Sequence, residues 1–185
     1  MKRQGLHRLF TAGVLATSLL ASNTAAFAND MFLKIDGIKG ESTDSKHKDE
    51  IEVLAWSWGQ SNGAARTVRG KQSAACIQDL HFTKFTDASS PGLIMNGVTG
   101  EVAKTAVLVV RKAGKEQQEF LTLTMHNVLV SSFQTGGSGG DANLTESVTL
   151  HFESMQGEYR KQKADGTLDA PILFDVTAGS AACQQ

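Results

Sequence analysis

Apolar and polar positions alternate in short runs from residue 31 onward, and the runs are separated by Gly, Asn, Asp and Pro. That is the period of half-buried β-strands with turns between them. Residues 31–38 form an apolar-rich strand that stops at the glycines of 37–40. Residues 41–50 (ESTDSKHKDE) are a polar, charged loop. In 51–58, Ile51, Val53, Ala55 and Ser57 share one face of a strand; Glu52, Leu54, Trp56 and Trp58 share the other. Residues 60–75 read as a loop by composition. Residues 77–85 form a strand with Leu80 and Phe82 on one face. One helix follows, with Ser89 or Ser90 as cap, Pro91 at its first position, and Gly97 and Gly100 limiting it to about two turns. Residues 105–112 are β-branched and extended, with a turn at 113–115. Residues 119–133 make a long strand with a bend near His126 and Asn127. A Gly-rich connection occupies 136–141. In 144–154, Val148, Leu150 and Phe152 alternate with Thr149, His151 and Glu153. Residues 155–163 continue as an edge strand, 164–166 turn, and 172–177 form the last strand before a frayed tail.

Eight to ten short strands and one short helix predict an all-β domain, a barrel or a sandwich. No repeat of solenoid type divides the chain.

The first 28 residues follow a different pattern. Lys2, Arg3, His7 and Arg8 precede an apolar stretch at about 9–21, which is shorter than a bilayer span, and Ala26-Phe27-Ala28 closes the segment. Basic start, apolar middle and small residues flanking a cleavage point are the features of a secretory signal peptide. Cleavage between Ala28 and Asn29 would leave 29–185 as the mature domain. An uncleaved amphipathic helix, or a start at Met31, is the alternative reading.

Charge narrows the functional classes. The first 28 residues hold three Lys/Arg and no acids, so the remainder carries 15 basic against 19 acidic residues, a net −4. A mildly acidic domain without a basic stripe argues against nucleic-acid binding, and no later apolar run is long enough to span a membrane. Cys76 and Cys183 could close a disulfide in an oxidising compartment; free or intermolecular thiols are the alternatives.

No motif assembles a catalytic centre. Gly136-Gly137-Ser138-Gly139-Gly140 matches the serine-hydrolase elbow, but both flanks read as strands where the elbow needs a strand and a helix. The stretch also matches a single calcium β-roll repeat, which works only when stacked. Residues 63–71 lack the spacing of a phosphate loop. His47, His81, His126 and His151 lie in separate elements without metal-ligand spacing. The acids of 41–50 mix with lysines and read as a solvated loop. Trp56 and Trp58 read as core first and as an assembly interface second.

Several blocks together resemble the hemolysin-coregulated protein (Hcp) family of type VI secretion. They are MFLKIDGIKGES at 31–42, DSKHKDEIEVLAWSWG at 44–59, QDLHFTKFTDASSPGL at 78–93, VRKAG at 110–114, VLVSSFQTGGSGG at 128–140, LTESVTLHF at 144–152 and QKADG at 162–166. The resemblance implies a two-sheet β-barrel with one short helix, and a non-enzymatic tube subunit that needs no cofactor. It implies a homohexameric ring with a central channel, whose partners are copies of itself, a spike protein, a sheath and small effectors in the lumen. Glu41, Asp44, Lys46 and Asp49 are candidates for ring stacking, with an ordinary mobile loop as the competing reading. Ser57 is the candidate for the channel wall. The leader departs from the family pattern. It directs the chain to the periplasm or outside, and raises the alternative of a ring-forming binding or chaperone module reused outside the secretion machine. The 60–75 stretch, with Arg66, Arg69 and Lys71, is also less Gly-rich than the family pattern.

Overall fold

The computed structural model describes residues 29–61, 75–112, 117–140 and 142–178. The leader with Ala28, most of the 60–75 loop with its three basic residues, the 113–115 turn and the tail with Cys183 lie outside the described residues.

Ten strands and one helix follow one another as β1 (Asn29–Ile35), β2 (Ile51–Glu52), β3 (Ala55–Ser57), β4 (Gln60–Ser61), β5 (Cys76–Ile77), β6 (Leu80–Phe85), α1 (Ser90–Thr99), β7 (Ala103–Lys112), β8 (Glu119–Gly136), β9 (Thr145–Tyr159) and β10 (Ile172–Thr177). The expected all-β class with one short helix holds. Eight strands form one antiparallel sheet in the order β2-β1-β7-β8-β9-β6-β3, with β10 added to β9; β4 and β5 pair as a small ribbon.

The 51–58 segment closes the barrel. Its first part pairs with β1, where the Val53 N–H donates to Met31 O; its second part pairs with β6, where the Leu54 N–H donates to Thr83 O. Because the segment changes partner, its alternation slips. Leu54 and Ala55 are both exposed, and Trp56 and Trp58 become the core-facing pair. Unbroken two-face alternation across 51–58 is therefore corrected: Ala55 and Ser57 do not share the face of Ile51 and Val53.

The two longest strands serve both halves of the sheet. In β8 the inward positions pass from Leu123 and Met125 to Val128 and Val130; in β9 they pass from Val148, Leu150 and Phe152 to Met155. Both switches occur where His126 faces Ser154. Asn127 absorbs the offset with a left-handed backbone, φ 52°, which Asn tolerates better than most residues, so the bend falls where the sequence places it. Residues 155–159, expected as an edge, are instead paired on both sides, by β8 and by β10. The core is formed by these inward positions with Leu33, Ile35, Ile51, Leu80, Phe82 and Leu108, and Leu93 of α1.

The helix ends as the glycine pattern predicts: Gly100 takes φ 71° and donates its N–H to Asn96 O. Its start differs. Ser89 occupies the N-cap position but makes no capping bond from its side chain. The Ser89 hydroxyl donates to Asp87 instead, and the Ser90 hydroxyl joins the polar cluster described below.

Candidate functional site

The 41–50 loop folds back onto the barrel. Ser42 accepts from the Asp49 N–H and donates its own N–H to Glu50 O, while the Gly40 N–H donates to Asp49 O. A Cβ at Gly40 would overlap the Glu50 carbonyl, so only glycine admits this approach. Asp49 itself sits at φ 60°. The anchor is Arg111 of β7. Its Nη1 and Nη2 donate to the two oxygens of Asp44, and its Nε donates to Asp30 at 3.1 Å. Such a two-pronged charged pair fixes direction as well as distance. The Arg111 guanidinium, with the N–H groups of Lys46 and His47, holds the Asp44 carboxyl well below the usual carboxylate range; Asp44, then Asp30, raises the Arg111 pKa in return.

Phe32 lies under the loop and is buried. The His47 ring stacks on it at 4.4 Å with 6° between planes, and Arg111 Cζ stands 4.7 Å from the same ring's centre. His47 is buried, with Nδ1 at 2.9 Å from Glu50. A freely solvated loop is thus corrected: charged residues at 41, 46 and 49 are exposed, but Ser42, His47 and Asp44 tie the loop down. Sequence reasoning missed Arg111. Ala106 and Leu108 face the core, so Arg111 points to the other side, where only the folded-back loop can bury it.

Ser57 stands on the sheet face opposite the core. It pairs with His81, which pairs with Thr149. The neighbouring row runs from Ala55 through Thr83 and Ser147 to Gln134. His81 is held by hydroxyls on both ring nitrogens, Thr149 at 3.2 Å and Ser147 at 3.1 Å. Asp79 joins His151, at 2.9 Å, to Ser131, at 2.8 Å. The face is small-residued and hydroxyl-rich, and none of the residues in these rows is a Lys or Arg.

A second missed group is buried at the start of α1. Lys84 is 0% exposed, and its Nζ donates to Asp87 at 2.7 Å, Ser90 at 2.9 Å and Phe85 O at 2.9 Å, with Glu146 at 2.7 Å. Glu146 also accepts from Thr86 and Ser90. The signal was available: two-residue counting from Leu80 and Phe82 puts Lys84 inward and Phe85 outward. Ser138 lies between two strands of a hairpin, the context that rules against a hydrolase elbow.

A barrel closed by a strand that changes partner, a long bent hairpin and one short helix has known counterparts. The family model described as "Type VI secretion system effector, Hcp" matches residues 32–159. The chain belongs to the Hcp family. It is 50% identical over 151 residues to protein hcp1 of Pseudomonas aeruginosa, covering 80% of this chain and 93% of that protein. The crystal structure of Hcp1 from Salmonella typhimurium superposes with a TM-score of 0.66 at 35% identity, covering 81% of this chain and 94% of the other. A solved structure described as a type six secretion system protein gives a TM-score of 0.75 at 29% identity, over 81% and 96%. As an Hcp protein the chain is a structural subunit of the type VI secretion tube, from a secreted rather than an enzymatic family. Among the described residues no helix is long and apolar enough to cross a membrane.

Proposed function

We propose that the mature chain, 29–185, assembles as a homohexameric ring with a central channel, and that rings stack through the 41–50 loop. The observation that carries this reading is the hydroxyl-rich face around Ser57. A sheet face on the far side of the core from a closed barrel must meet water or a partner. Small polar side chains without Lys or Arg suit a smooth channel wall that a passenger protein can slide along. The loop suits stacking because it presents Glu41, Lys46 and Asp49 from a backbone held in place by Arg111, so little order is lost on contact. Exposed Ile172, Leu173, Met95 and Val98 offer apolar surface for subunit contacts, as a closed ring of heterologous interfaces needs. Effectors in the channel, a spike at the tip and a sheath around the tube are the partners of this reading, which involves no catalysis.

The leader belongs to the same proposal: residues 1–28 direct export, and cleavage falls between Ala28 and Asn29. In an oxidising compartment Cys76 then pairs with Cys183. The leader favours a second reading, a periplasmic or released ring that holds a passenger outside the secretion machine. The test is intact and native mass of the protein recovered from the periplasm. A subunit starting at Asn29 and migrating as a six-fold ring supports the proposal. A monomer overturns the ring, and an unprocessed chain overturns the leader.

A further inference from the structure

We propose that His47 is a proton-operated latch that fastens the 41–50 loop to the start of β8. The ring is flat on Phe32 and only 6% exposed. A carboxylate faces each of its nitrogens: Glu50 lies 2.9 Å from Nδ1, and Glu119, the first residue of β8, lies 3.5 Å from Nε2. Nε2 is buried and has no hydrogen-bond partner. A neutral imidazole has one N–H and one lone pair. Whichever tautomer it takes, the lone pair points at a carboxylate. Only the imidazolium has a donor for both, so one proton converts a bare contact into a second charged hydrogen bond.

The second bond matters because of where Glu119 sits. Glu50 is in the same loop, so its bond to His47 holds the loop to itself. Glu119 is in the barrel wall, so the Nε2 bond holds the loop to the barrel. Beside them stand Asp44 of the loop, Arg111 of β7 and Asp30 of β1, with Arg111 donating to both carboxylates. Arg111 keeps the Asp44 carboxyl ionised far below neutral pH, so that pair does not change across the range in which histidines gain charge. Protonation of His47 adds a tie between loop and barrel beside the Asp44–Arg111 pair and the Ala88 N–H bond to Glu41, and loss of that proton removes it. The latch stands on the loop geometry alone; its consequence for ring stacking rests on the reading of the loop given above.

The test is amide hydrogen exchange of the 41–50 segment in the folded protein, at a concentration where rings do not stack, at about pH 5.5 and about pH 7.5, with rates normalised to the unstructured peptide. One added charged hydrogen bond slows opening roughly tenfold at the lower pH. Glu119→Ala removes the barrel partner and abolishes the response. His47→Phe keeps the stack on Phe32 and also abolishes it, while the Asp44 anchor persists. A wild-type response below roughly twofold overturns the latch, as does a full response in Glu119→Ala. Stacking is scored apart, by Lys46→Glu at a single pH, so either idea can fail alone.

Discussion

Removing Glu146 tests how the helix is held to the barrel. Glu146→Ala leaves Lys84, 0% exposed, with Asp87 as its remaining carboxylate, and leaves the Thr86 and Ser90 hydroxyls without their acceptor. Losing one partner of a buried ion pair costs about 3–5 kcal/mol, because the desolvated charge stays behind. That is a large share of the roughly 5–15 kcal/mol that holds a domain together. Lys84→Met alone costs a similar amount, since Glu146 keeps its two hydroxyl donors but loses its cation. The double variant Lys84→Met/Glu146→Ala strands neither of these two charges, so the penalty of an uncompensated buried ion is not incurred twice; Asp87 keeps the Ser89 N–H and hydroxyl as donors. The double variant therefore lies well below the sum of the singles, with a coupling of at least about 2 kcal/mol. The assay is equilibrium urea unfolding at fixed subunit concentration, read by the fluorescence of Trp56 and Trp58, which pack against the core. Additivity of the two singles within about 0.5 kcal/mol refutes the account, and so does a Glu146→Ala cost below about 1 kcal/mol.

Three further outcomes follow from local geometry. Gly157→Val frees β10, because the Phe174 ring occupies the space a Cβ would take and also stacks on Trp58; limited proteolysis should cut between 160 and 177 in the variant and spare the wild type. Gly40→Ala pushes the 41–50 loop off the barrel, seen as faster amide exchange at Ser42 and Asp49 with the melting temperature of the barrel little changed. The Asp44 carboxyl stays ionised to lower pH folded than unfolded, so its stabilisation is complete above the ordinary aspartate range, about pH 4, and is lost as pH falls below it. Arg111→Leu should therefore destabilise the loop at neutral pH and flatten that acid limb, measured by exchange against pH.

The elements of this protein are legible in its sequence because they are decided locally. Alternation places β1, β6, β7, β8 and β10 within a few residues. Pro91 and Gly100 bound α1 through backbone geometry that needs no neighbour, and Asn127 marks a bend that Asn tolerates. The family blocks add the barrel and the tube. What depends on which strand lies beside which is not local. The 51–58 segment could not be read as a closing strand, because its change of partner from β1 to β6 is invisible until both edges exist. The 41–50 loop reads as solvated until β7 delivers Arg111 and β1 delivers Phe32 to cover. His47 sits between carboxylates 3 and 72 positions away in the chain. Lys84 reads as a surface lysine until β9 brings Glu146 opposite it. In each case the sequence holds the charge, but burial, which makes the charge matter, is a property of the closed barrel.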